Sequence, residues 1–206
     1  MSEQYFAGEP SAAHRPGSVH LIMPDVDFKL RTDAGVFSPR RVDPGTRLLL
    51  DVAPPPPPTG NLLDLGSGYG PLALVLAARA PAAQVWAVDV NARALALTAA
   101  NAADAGLANV TCARPDADGL PAQFELIWSN PPVRIGKQAL HRLLSGWLDR
   151  LAATAAAYLV VQRNLGSDSL QRWLAESGWP TERAAARSGY RVLKVTGSRP
   201  MAGALR

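Results

Sequence analysis

Apolar and polar positions change their period partway along this 206-residue chain. Ahead of residue 60 the pattern is one of short strands. Residues 19–23 form a brief apolar run, and Val26, Phe28 and Leu30 alternate with polar neighbours across residues 25–32, as a half-buried strand requires. Asp33-Ala34-Gly35 supplies turn residues before Val36-Phe37. Ser38-Pro39-Arg40-Arg41 is irregular and basic, and Asp43-Pro44 has the form of an N-cap and first helical residue, opening a helix through residues 46–50. Residues 54–58 are all proline, which predicts a stiff extended linker. From Gly60 onward strand-like and helix-like periods alternate. Strands are predicted at residues 61–65, 84–89, 109–114, 123–129 and 156–162, and helices at 71–79, 91–105, 137–152 and 168–177. Regular β–α alternation predicts a parallel sheet covered on both faces. Ser188-Gly189, between residues 181–187 and 190–196, is a hairpin signal, so an antiparallel pair is expected to end the sheet. Three segments follow: a loose tail over residues 1–17, a β-rich lead-in over 18–59 that belongs to the same unit, and the main α/β domain over 60–206.

Composition narrows the class of protein. The chain is 48% hydrophobic and 18% charged, so it is expected to fold around a real core. Its net charge of +4 is spread along the sequence and leans only mildly toward a polyanionic partner. Cys112 is the only cysteine, which excludes a disulfide framework and a cysteine metal site and fits a reducing cytoplasm. Residues 1–20 lack the apolar centre of a signal peptide, and no apolar run is long enough to span a membrane. No metal is expected. His14, His20 and His141 carry no ligand pattern, and the five tryptophans fall on packing positions.

The chemistry-bearing residues sit at predicted strand ends. Asn61–Leu65 runs into Gly66, Gly68 and Gly70, and Pro71 suits the first turn of the helix that follows. Glycines here let a ligand approach the backbone. The spacing departs from the dinucleotide fingerprint, whose third glycine would fall at Pro71, and the Lys-Ser/Thr ending of a phosphate loop is missing. Asp64, inside the strand, suits a ligand carrying a positive amine. Asp89 ends the second strand 19 residues after Gly70, next to Val90, where a carboxylate can accept both hydroxyls of a ribose; the alternative is a cap for the helix near Asn91. At the third strand end, near Arg114-Pro-Asp116-Ala117, Asp116 can meet an adenine amino group, or it is simply a loop acid. The fourth strand runs from Phe124 to Ser129 and into Asn130-Pro131-Pro132. Two prolines fix the backbone and withhold two N–H groups, which leaves oxygens and the Asn130 amide held at the sheet's ligand-binding edge.

The order Asp64-Leu-Gly-Ser-Gly-Tyr-Gly70, Asp89, Asp116, Asn130-Pro131-Pro132 resembles class I S-adenosylmethionine-dependent methyltransferases. Phe28-Lys-Leu-Arg-Thr-Asp-Ala-Gly-Val-Phe-Ser38, Asp43-Pro-Gly-Thr-Arg-Leu-Leu-Leu50, Asn130-Pro-Pro-Val-Arg-Ile-Gly-Lys137 and Gly189-Tyr-Arg-Val-Leu-Lys194 resemble the small-domain methyltransferase family, which includes ribosomal RNA small-subunit guanine-N2 methyltransferases. The resemblance covers about residues 18–197. It implies a Rossmann-like, doubly wound, mostly parallel seven-stranded sheet. One departure is Val133, where many amino methyltransferases carry an aromatic residue after Asn-Pro-Pro.

The resemblance implies S-adenosyl-L-methionine as cofactor. Asp64 would serve its amino group, Gly66, Gly68 and Gly70 its methionine part, Asp89 and Val90 its ribose, and Asp116 and Ala117 its adenine. The Asn130 side-chain oxygen and the Pro131 carbonyl would accept the two hydrogens of an exocyclic amine, with Pro132 stiffening the turn. For a guanine in ribosomal RNA or the small ribosomal subunit, the base must leave its stack to reach the site. Phe37 is the candidate base contact, unless it is core, and Arg40, Arg41, Arg134 and Lys137 are candidate phosphate contacts. Alternatives are a protein glutamine or DNA adenine amino methyltransferase, a non-catalytic RNA-binding relative, and a nucleotide-dependent oxidoreductase, the last disfavoured by the glycine spacing.

Overall fold

Strand β1 (Gly17–Ile22) and strand β2 (Asp27–Thr32) pair antiparallel as a small separate hairpin. The computed structural model describes residues 12–197; the first eleven residues of the expected tail and residues 198–206 lie outside it. Helix α1 (Pro44–Val52) starts at an Asp43 cap, whose carboxylate accepts the Gly45 and Thr46 N–H groups. Then come β3 (Asn61–Leu65), α2 (Pro71–Arg79), β4 (Gln84–Val88), α3 (Ala92–Asp104), β5 (Val110–Ala113), β6 (Phe124–Ser129), α4 (Lys137–Leu148), β7 (Leu151–Gln162), α5 (Ser167–Glu176), β8 (Thr181–Arg187) and β9 (Tyr190–Thr196).

The main sheet has the order β5-β4-β3-β6-β7-β9-β8. The first five strands in that order are parallel, and β9 and β8 close the sheet antiparallel. Residues 62–65 of central β3 are all buried, as expected of a strand covered on both faces. One core joins the lead-in to the sheet: Val19, Leu21 and Leu30 of the hairpin and Leu48–Leu50 of α1 pack with Leu74, Leu76 and Trp128. The other lies under α4 and α5, with Phe124, Leu144, Leu159 and Leu174 fully buried. Burial of such side chains contributes about 1.5–3 kcal/mol each.

Two local features differ from the sequence pattern. Helix α4 ends at Leu148 and β7 starts at Leu151, earlier than the expected 152 and 156. The Arg150 carbonyl accepts the Phe124 N–H at 2.8 Å, and its guanidinium lies over the Phe124 and Trp147 rings. The alanines of residues 152–157 favour helix on propensity, but Ala156 and Ala157 pair with both β6 and β9 and Leu151 pairs with Phe124 across a register shift, so the stretch between these anchors runs extended. Residues 12–15 of the expected tail are tied down. Arg93 donates to the Ala12 carbonyl at 2.9 Å, while the Asp33 carboxylate accepts the Arg15 N–H and pairs with His14. Among the described residues no helix is long and apolar enough to cross a membrane.

Candidate active site

Sheet order places two motifs side by side. Chain order reverses between β3 and β6, and that switch point is where open α/β sheets bind ligands, beyond the strands' C-terminal ends. Leu65 is in register with both Val88 and Ser129, so the ends of β3, β4 and β6 align. Ser129 Oγ donates to the Leu65 carbonyl at 2.6 Å and locks the two central ends together. The glycine turn and Asn130-Pro131-Pro132 therefore emerge as neighbours.

The turn itself is held from several sides. The Gly66 and Ser67 N–H groups donate to the Val88 carbonyl at 2.8 and 3.1 Å. Thr98 Oγ1 donates to the Gly68 carbonyl at 3.0 Å, and Asn101 Nδ2 donates to the Tyr69 carbonyl at 2.8 Å. Gly66, Gly68 and Gly70 have φ of +79°, +58° and +95°, the left-handed region that favours glycine. Their surroundings differ. A Cβ on Gly68 would meet nothing within 4 Å, and one on Gly66 only the Asn130 carbonyl oxygen at 4.0 Å. A Cβ on Gly70 would strike Thr98 at 2.8 Å and Leu74 at 2.9 Å. Gly66 and Gly68 thus present open backbone to the cavity, whereas Gly70 lets α2 and α3 pack closely.

Two carboxylates flank this turn. Asp64 is fully buried; its Oδ2 accepts the Ala73 N–H at 2.9 Å from the first turn of α2, and its Oδ1 has no hydrogen-bond partner among the described residues. Burial pushes its pKa up to about 8, with the Ala73 bond opposing and the Asp89 charge adding. Asp89 accepts the Gly68 N–H on Oδ2 and the Asn91 N–H on Oδ1, both at 2.9 Å. Burial also raises its pKa, while those N–H groups and that of Val90 oppose the rise. Asn91, not Asp89, caps α3, accepting the Arg93 and Ala94 N–H groups.

At the end of β6 the backbone makes an inverse γ-turn: Pro132 has φ −74° and ψ 70°, and the Val133 N–H donates to the Pro131 carbonyl at 2.8 Å. The Asn130 side chain is fixed from across the fold. Its Nδ2 donates to Asp43 Oδ1 at 2.9 Å and to Thr46 Oγ1 at 3.0 Å. Both amide hydrogens are thereby used, which leaves the side-chain oxygen to accept, on a residue that lines the cavity.

That cavity has a volume of about 430 Å³. Its floor is Gly66, Gly68, Asp89, Val90 and Asn130-Pro131-Pro132; its mouth carries Phe37, Val133, Arg134, Leu165 and Tyr190. A recess of about 30 Å³ adjoins it, lined by Asp64, Ser67, Thr46 and Asn130 among others. Phe37 is 50% exposed and so is not core. Its loop is tethered to the start of α3, because Asn91 Nδ2 donates to the Gly35 carbonyl at 2.9 Å and Arg93 Nη1 to the Ala34 carbonyl at 2.6 Å.

Not every residue singled out in the sequence reaches the cavity. Asp64 lines only the recess, and Gly70 lines neither space. Asp116 is exposed and paired with Arg114 at 3.3 Å; Pro115 is the wall residue there, and Ala117 packs into the second core. Arg40 and Lys137 are exposed residues outside the lining. Conversely, Asp43, Leu165 and Tyr190 belong to the site, and the sequence had suggested only a cap for the first and a hairpin end for the last. Tyr190 lies beside Asp43, and burial and that charge raise its pKa.

The family model described as the methyltransferase small domain matches residues 27–194. The chain belongs to this family. Among its relatives, the uncharacterized protein YbxB of Bacillus subtilis (strain 168) is 34% identical over 198 residues, covering 95% of this chain and 98% of that protein. The ribosomal RNA small subunit methyltransferase C of Pseudomonas paraeruginosa (strain DSM 24068 / PA7) is 35% identical over 185 residues, covering 87% of this chain and 54% of that enzyme. The chain thus spans about half the length of that methyltransferase. Among solved structures, the T. thermophilus 16S rRNA N2 G1207 methyltransferase, in complex with AdoMet and guanosine, superposes with a TM-score of 0.73 at 23% identity, over 92% of this chain and 52% of that one. That likeness places this methyltransferase small domain in the Rossmann-like fold expected above.

Proposed function

We propose that this protein methylates the exocyclic N2 amine of a guanine in ribosomal RNA, with S-adenosyl-L-methionine as donor. The observation that carries the reading is the Asn130 amide. Its two hydrogens are spent on Asp43 and Thr46, so its oxygen is left to accept, on a residue that lines the cavity. The Pro131 carbonyl uses one lone pair on Val133 N–H and keeps a second. Two rigid acceptors on consecutive residues suit a primary amine with two hydrogens to place.

The residues present fit the cofactor. The unpartnered Asp64 Oδ1 and the Asp64-Ser67 recess suit its ammonium end. Open backbone at Gly66 and Gly68 suits the methionine part, Asp89 with Val90 the ribose, and Pro115, rather than Asp116 or Ala117, an apolar adenine face. When bound, the cofactor supplies an electrophilic sulfonium methyl; transfer forms the N–C bond, leaves sulfur as a neutral thioether and releases the amine's proton. The protein's own part is orientation. An aryl amine lone pair is delocalised into its ring, and acceptors on both N–H bonds favour the pyramidal form with the lone pair aimed at the methyl. Such positioning is worth several kcal/mol. No strong base is required, because the alkylated nitrogen is acidic.

Phe37 and Leu165, both exposed at the mouth, offer apolar contact to a flipped base, in place of the aromatic residue that Val133 replaces. Arg134 at the rim, with Arg40 and Lys137 further out, is suited to phosphates. A ribosomal target is supported by the named relative, and the guanine amine by the structural neighbour.

The test is transfer of radiolabelled methyl from the cofactor to hypomethylated small ribosomal subunits, bare ribosomal RNA, DNA or release factor. Label entering RNA with the wild type and lost with Asn130→Ala supports the proposal. Label entering protein or DNA instead favours those acceptors, and cofactor binding without any transfer favours a non-catalytic RNA-binding relative.

A further inference from the structure

We propose that Asp43 is a positioning residue for Asn130, so that the N-terminal lead-in builds part of the reaction centre. The consequence for rate rests on the amine-acceptor reading of Asn130; the geometry does not. Asp43 and Asn130 are 87 residues apart, at the N-cap of α1 and beyond the end of β6. Their contact at 2.9 Å ties two segments that no local pattern connects.

An asparagine amide has nearly the same shape when its oxygen and nitrogen are exchanged. Sterics alone do not choose which one faces a substrate, and the wrong choice presents N–H groups to an amine that needs acceptors. A carboxylate resolves this, because an ionised Asp can only accept. Turning the Asn130 oxygen toward Asp43 Oδ1 would set lone pair against lone pair. Thr46 Oγ1 either donates or accepts, so it can hold the second hydrogen but does not select the orientation.

Asp43 is itself immobilised. Its Oδ1 also accepts the Gly45 and Thr46 N–H groups at 2.9 and 3.1 Å. Gly45 leaves no room for adjustment, since a Cβ there would lie 2.6 Å from the Tyr190 ring and 2.9 Å from Asp43 Oδ1. The capping carboxylate therefore has a second task that a cap alone does not require. Ser caps about as well as Asp, but its side chain is one bond shorter and loses its reach to Asn130.

That difference separates positioning from capping. In ligand-free protein, the Asn130 side-chain amide hydrogens are expected to exchange slowly with solvent by NMR, and Asp43→Ser to speed their exchange at least about tenfold while thermal unfolding stays close to wild type. In turnover, Asp43→Ser should lower kcat roughly 10- to 100-fold with KM for the cofactor within about twofold. Asp43→Asn, which keeps the accepting oxygen, should recover most of that loss. Unchanged amide exchange in Asp43→Ser overturns the proposal, as does an Asp43→Asn variant that recovers none of the lost rate. Asp43→Thr, which also caps α1 and is likewise one bond short of Asn130, repeats the exchange test if Asp43→Ser does not fold. A wild type that methylates no RNA refutes the proposed function while the exchange measurement still decides this one.

Discussion

Asp89 accepts the Gly68 N–H at 2.9 Å, bracing the glycine turn after β3 from the end of β4. The same carboxylate accepts the Asn91 N–H, and the Asn91 side chain donates onward to the Gly35 carbonyl in the loop leading to Phe37. One carboxylate thus orders the glycine turn and, through Asn91, the mouth of the cavity. Asp89→Ala removes the brace and the proposed ribose acceptor together. Charge-assisted hydrogen bonds contribute about 1.5–3 kcal/mol. Calorimetry should therefore show cofactor Kd rising roughly 10- to 100-fold.

The glycines of the turn should divide by role. Gly70→Ala places a Cβ 2.8 Å from Thr98 at φ +95° and should cost about 2 kcal/mol or more in denaturant unfolding. Gly68→Ala meets open space and should cost only about 1–2 kcal/mol for its left-handed backbone, yet abolish most cofactor binding by filling the approach.

Asp64 should make the ligand-free protein pH-sensitive. Its folded pKa, pushed up to about 8, lies above that of the unfolded chain, so the folded state holds the proton more tightly. The stabilisation is full below about pH 4 and is lost as pH rises toward 8. Asp89 shifts in the same direction. Urea unfolding should show stability falling across this window, and Asp64→Asn should flatten the decline. An unchanged slope in Asp64→Asn would mean that the carboxyl titrates normally.

Phe37 should matter to substrate and not to the fold. Half-exposed, it should cost within about 0.5 kcal/mol of stability when replaced by alanine, while KM for RNA rises and KM for cofactor holds. Arg134→Ala should weaken RNA binding at all sequences and reduce the salt slope by about one.

The mostly parallel sheet with its antiparallel end was legible because β–α alternation and the Ser188-Gly189 hairpin signal are local. The structure sets the glycine turn beside Asn130-Pro131-Pro132 through the pairing of β3 with β6. Three things were not legible. Equal spacing gave no way to tell Gly70, which packs against Thr98, from Gly68, which faces the cavity. Asp116 and Pro115 are sequence neighbours, and only the chain's path past β5 decides which one forms the wall. The Asp43–Asn130 bond joins residues 87 apart, and the helix cap fully explained Asp43 without it.

The most direct test is the chemical identity of the product. Small ribosomal subunits from cells lacking this protein, incubated with the purified chain and labelled cofactor, would be digested to nucleosides and separated by chromatography with mass detection. The label should appear in N2-methylguanosine with the wild type and be absent with Asn130→Ala. Label in a ring-nitrogen or ribose methylation product, or an equal yield of N2-methylguanosine from Asn130→Ala, would contradict the assignment of Asn130 as acceptor for an exocyclic amine.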